Sequence, residues 1–160
     1  MKIKTLHDGK EVCLKEVLRD KHGVKYRVGC DSLNVKEHTV FITTLVGINP
    51  EHRGAFILYS KEKINKIQEP RLRLWQEVEK AINFATHLRE QIGVEIECID
   101  FDLNTDTTYE SSRLVASALG YAEAMGFKAF CKPNALYAIY AADFITHKSN
   151  DAYKRKGLAT

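Results

Sequence analysis

Asp31, Glu77, Asp102 and Asp143 are the residues of this chain whose types and spacing could do chemistry together. Asp31 follows the apolar run Tyr26-Arg27-Val28-Gly29-Cys30, and Asp102 closes a second run that begins at Val94. Glu77 falls in the first turns of a long amphipathic segment, and Asp143 in an otherwise apolar C-terminal one. Carboxylates at strand ends and on apolar helix faces are costly unless a cation meets them. Hard oxygen donors without an accompanying His/Cys set favour Mg2+ or Mn2+. Two such ions imply phosphoryl transfer in which one activates water and the other stabilises the leaving oxygen.

The elements that must position these acids follow from periodicity and turn chemistry. Residues 11–19 read as a short amphipathic helix, and 24–30 as a first strand ending at Asp31. The β-branched and aromatic run 38–46 is a second strand, and 55–59 a third that makes a meander with it. Pro70 opens a helix running to about Glu90, with Leu74, Val78, Ala81, Ile82, Ala85 and Leu88 on one stripe. A fourth strand spans 94–102, a helix 110–125 stops at Gly126, and a fifth strand spans 127–131. A last helix runs from Asn134 to about His147. The expected fold is α/β, a mixed five-stranded sheet of three antiparallel-meander strands followed by parallel strands, flanked by helices. It forms a single domain over residues 1–148, followed by a polar basic tail at 149–160.

Ligand sites of open α/β sheets collect at the carboxyl ends of parallel strands. If the first and fourth strands are neighbours, a spacing of roughly 4.8 Å puts Asp31 and Asp102 within reach of one cation. Pattern alone leaves rivals open. Glu77 and Glu79 both border the buried stripe, and Asp100 shares a strand face with Asp102. Asp31 could sit in a turn, Asp102 could belong to a loop and helix cap, and Asp143 could pair with His147 one turn later.

Bulk properties set the frame. The 160 residues carry 44% hydrophobic side chains, enough for a real core, and a net charge of +3 that permits a polyanionic partner. Basic residues gather at Lys61, Lys63, Lys66, Arg71 and Arg73, and again at Lys148, Lys154, Arg155 and Lys156. No run resembles a membrane span or a secretory signal, so a cytoplasmic protein without a membrane partner is expected. Cys13, Cys30, Cys98 and Cys131 form no Cys-x-x-Cys pair, which fits inert thiols in a reducing compartment. No heptad or large apolar stripe signals an oligomer.

Several spaced motifs fall in a familiar order. They are Val28-Gly29-Cys30-Asp31-Ser32, residues 71–78 around Glu77, Asp102-Leu103-Asn104 with 109–115, Gly120-Tyr121 with Met125-Gly126-Phe127, and Lys132-Pro133-Asn134-Ala135 with Ala141-Ala142-Asp143. Together they resemble the YkuK-like family of ribonuclease H-like proteins over about residues 10–148. The resemblance implies a ribonuclease H-like fold with Asp31, Glu77, Asp102 and Asp143 as catalytic, metal-binding carboxylates. It prefers Glu77 over Glu79 and Asp102 over Asp100. Ser32, Asn104 and Lys132 also sit in its motifs, in supporting or substrate-facing positions. Cys30 stands where the family often has Thr.

The function expected is a two-metal nuclease that hydrolyses nucleic-acid phosphodiester bonds. Arg71, Arg73 and Lys132 would contact the phosphate backbone of DNA, RNA or a hybrid, and His147 would assist coordination or proton transfer. The alternative is a catalytically inactive ribonuclease H-like module that binds nucleic acid or serves as a scaffold.

Overall fold

A long three-stranded meander and the helices on its two faces decide where the acids end up. The computed structural model describes residues 1–51, 54–135 and 137–155, with side chains as far as Lys148. Its strands are β1 Ile3–Thr5, β2 Glu11–Val12, β3 Lys25–Val35, β4 His38–Asn49, β5 Gly54–Asn65, β6 Ile96–Asn104 and β7 Ala129–Lys132. The helices are α1 Leu14–Leu18, α2 Pro70–His87, continued by a π-helical turn over Leu88–Ile92, α3 Ser112–Ala124 and α4 Tyr137–Arg155. The sheet order is β2-β1-β5-β4-β3-β6-β7, antiparallel from β2 to β3 and parallel from β3 to β7.

The expected mixed sheet is present, but it has seven strands among the described residues rather than five. The two extra strands are too short to carry an alternating pattern. They form because β5 runs for twelve residues, and its outer edge takes β1 through the pair Ile3↔Ser60. Part of the helix expected over 11–19 is therefore strand, and α1 keeps only Leu14–Leu18. At the other end, α4 begins at Tyr137 rather than Asn134 and continues past His147 to Arg155. Residues 156–160 of the expected tail lie outside the described residues.

A second correction concerns Asp31. It lies inside β3, which pairs with β4 from Lys25↔Ile48 to Val35↔His38, with Lys36 at φ 52° in the turn. The Ser32-Leu33-Asn34-Val35 segment is strand alternation, fixed by cross-strand bonds that a local reading takes for a turn. The parallel neighbour β6, however, leaves β3 after Cys30↔Phe101. Asp31 and Asp102 are thus the first residues beyond the last parallel pair, side by side where the two strands separate.

Alternation sends side chains to opposite faces. Tyr26, Val28 and Cys30 join the main core with Val78, Ala81, Ile82 and Ala85 of α2 and Ala118 and Ala122 of α3. On the other face α4 packs through Ala138, Ala141, Ala142 and Ile145 against Val35, Val40, Ile42 and Val46. Gly29 permits this close approach, because a Cβ there would stand 2.9 Å from the backbone carbonyl carbon of Ala138. Gly29→Ala should therefore push α4 off the sheet and cost about 1–3 kcal/mol. The check is urea denaturation, with a lower midpoint and an unchanged slope expected.

The start of α4 is also held electrostatically. Asp100, wholly buried, accepts the Ala138 N–H at 3.1 Å and pairs with Arg27 at 3.0 Å. The Arg27 guanidinium lies over the rings of Phe130 and Tyr137 and donates to Cys98 Sγ.

Candidate active site

The four acids approach the notch between β3 and β6 from both faces of the sheet. Asp31 and Asp102 come from the α4 face, and Asp143 from α4 itself. Glu77 comes from α2, whose first turn is set by Pro70 and by Glu69, which accepts the backbone N–H groups of Arg71 and Leu72. Glu77 is buried, whereas Glu79 is only partly so. Ser32 faces α2 and donates its hydroxyl to Glu77 Oε1. Arg73 Nη1 donates to Ser32 O at 2.8 Å and Ser32 Oγ at 2.9 Å, and lies 3.9 Å from Glu77 Oε1.

The remaining predicted residues divide between the notch and its rim. Lys132 Nζ forms an ion pair with Asp102, so the ammonium lies inside the acidic group. Asp143 is half-exposed and lies 3.5 Å from His147 Nε2. Asn104 is committed to the loop after β6. Its Oδ1 accepts the Asp106 N–H, and its own N–H donates to Ser111 Oγ. Arg71 lies outside the notch, exposed and paired with Glu110 at 3.2 Å. Asp100, the rival to Asp102, is occupied by Arg27 and the start of α4.

Burial dominates the electrostatics. Burial pushes the Asp31 carboxyl above its ordinary value, opposed by the nearby Thr146 hydroxyl and the Ser32 N–H and reinforced by Asp102 and Asp143. Glu77 is pushed well above the usual range by burial. The Ser32 hydroxyl and Arg73 oppose this rise, whereas Asp31 and Asp102 add to it. Burial pulls the Lys132 ammonium down, but the hydrogen bond and charge of Asp102, with Asp143, more than reverse this and raise it. The buried thiols are poor nucleophiles, since burial pushes Cys98 and Cys131 up to about 11.

As the side chains stand, no three of His, Cys, Asp and Glu among the described residues come close enough to share one ion. Three of the four acids of the notch are held by protein groups instead: Glu77 by Ser32 and Arg73, Asp102 by Lys132, Asp143 by His147. The donor chemistry nonetheless fits a hard divalent cation, because burial raises the Asp31 and Glu77 carboxyls and both feel the charge of Asp102. Asp31, Glu77, Asp102 and Asp143 are the residues that would hold it, after a change of rotamer.

Stability should depend on pH with a definite sign. An acid whose folded-state pKa exceeds its unfolded value binds its proton more tightly in the fold. Stability then falls as pH rises from the ordinary carboxylate range through the raised value. In chelator, the wild type should melt higher at pH 5 than at pH 7.5. Glu77→Gln should melt above wild type at pH 7.5, with the gap closing at pH 5, as scanning calorimetry would read.

Sequence reasoning missed two groups. Arg27 hides in an apolar strand run, and only the pairing of β3 with β6 reveals its partner. Thr146 could have been found, because it follows Asp143 by three residues on one helix flank.

A family model described as ribonuclease H-like matches residues 12–147. No curated protein matches the chain. Among solved structures, endonuclease V from Ciona intestinalis, crystallised with a 24mer DNA containing an inosine followed by a ribo-adenosine, is similar at 13% identity and a TM-score of 0.44. That match covers 84% of this chain and 64% of the other.

Proposed function

This chain belongs to the ribonuclease H-like family, and from that premise we propose that it is a divalent-metal-dependent nuclease acting on nucleic-acid phosphodiester bonds. One observation carries the reading. Asp31 and Glu77, both buried and raised, share a notch with Asp102 at the point where β6 parts from β3. Carboxylates raised by burial and by neighbouring acids destabilise a fold at neutral pH unless a cation offsets them.

Asp31, Glu77, Asp102 and Asp143 would hold two Mg2+ or Mn2+ ions. When bound, these ions supply an activated water and charge stabilisation at the leaving oxygen. Ser32 and Arg73 fix Glu77 from the α2 side. Lys132, once Asp102 turns to a cation, is free to meet a phosphate oxygen, and Arg71 offers a further contact at the rim. Tyr140 and Phe144 are exposed on α4, the helix that carries Asp143, and offer aromatic surface for stacked bases. Among the described residues no helix is long and apolar enough to cross a membrane.

The test is incubation of fluorescent single-stranded, duplex, hybrid and branched DNA and RNA with Mg2+, Mn2+ or chelator. Cleavage of at least one substrate that chelator abolishes is expected. Salt-sensitive binding that survives chelation, without product from any substrate, would assign the chain to the non-catalytic binding class instead.

A further inference from the structure

We propose that Thr146 is a positioning residue: its buried hydroxyl donates to the Asp31 carboxylate and fixes the oxygen that faces a divalent cation. The inference rests on the metal-site reading above and adds to it a residue that none of the sequence motifs contains. Thr146 is only 4% exposed, and its Oγ1 has no hydrogen-bond partner of ordinary geometry among the described residues. A buried hydroxyl left unpaired costs free energy, so a role is to be sought for it.

The fold aims this hydroxyl into the acidic notch. Ile42, the cross-strand partner of Asp31, packs in one cluster with Ala142 and Ile145 of α4. That packing brings the flank of α4 carrying Asp143 and Thr146 over the Asp31 side of β3. Thr146 is close enough to favour the ionised form of Asp31, while Asp143 acts on the same carboxylate in the opposite sense. A small rotation of either side chain would complete the hydrogen bond. Once ionised and facing a cation, Asp31 has a spare lone pair for Thr146 to engage, which limits its rotamers.

The experiment compares Thr146→Val, Thr146→Ser and wild type in the full chain, using calorimetric titration with Mn2+ alone and melting in chelator. Val fills the volume of Thr without the hydroxyl, so Thr146→Val should stay folded and melt within a few degrees of the wild type in chelator. It should nevertheless bind Mn2+ about 10- to 100-fold more weakly, the usual loss for an outer hydrogen-bond partner of a ligand. Thr146→Ser should restore binding close to wild type. A packing role alone gives the opposite pattern, a lowered melt with unchanged Mn2+ affinity, and that result overturns the proposal. So does a Ser variant as weak as the Val variant. A wild-type chain that takes up no Mn2+ overturns the metal-site reading as well, which separates the two failures.

Discussion

Asp31→Asn is expected to slow phosphodiester cleavage by about 10³-fold or more, while the melting temperature in chelator holds or rises. The two halves of this expectation have one cause. Asp31 is buried and its carboxyl is raised by burial, so the ionised form is a charge the fold tolerates poorly on its own. Asn keeps the shape and removes the charge, which relieves the fold. It also removes one of the proposed anionic ligands, and losing about 4 kcal/mol of charge stabilisation corresponds to about 10³ in rate. Single-turnover kinetics on the best substrate, with melts of both proteins, measures the two effects. Undiminished cleavage by the Asn variant would remove Asp31 from the chemistry.

Arg27→Met is expected to destabilise the protein by about 3–5 kcal/mol, the cost of leaving a buried charge without its partner. Asp100 is wholly buried and the Arg27 side chain nearly so, so solvent screens the pair very little. For a chain of this length the loss corresponds to a melting temperature lower by roughly 10 °C. Asp100→Asn in the Arg27→Met background should recover much of it, since a neutral amide can still accept the Ala138 N–H. The double-mutant cycle, read by denaturant midpoints, measures the coupling. Additive losses would mean that Arg27 acts through its stacking on Phe130 and Tyr137 instead.

Much of the fold was legible because its signals are local. The stripe from Val78 to Ala85 has helical period, and 38–46 is β-branched. Gly126, at φ 77°, stops α3 near where it was expected. What failed depends on partners far along the chain. Nothing in Ser32-Leu33-Asn34-Val35 says that β4 will pair with it, and nothing in Ile3-Lys4-Thr5 says that β5 has an open edge. Strand ends are therefore the expected place for both acids, whereas Asp31 lies within a hairpin arm and Asp102 two residues inside the end of β6, where the parallel pair parts.

For the site, composition and spacing put four acids and a handful of cations within one topology, and the motif resemblance ranked them. Only the packed chain assigns Asp100 to Arg27 and the start of α4, Asp102 to Lys132, and Glu77 to Ser32 and Arg73. Periodicity describes one element at a time and determines which face a residue takes. Burial, ion pairing and proton affinity depend on what other elements bring to that face, so they are decided where strands separate and helices cross.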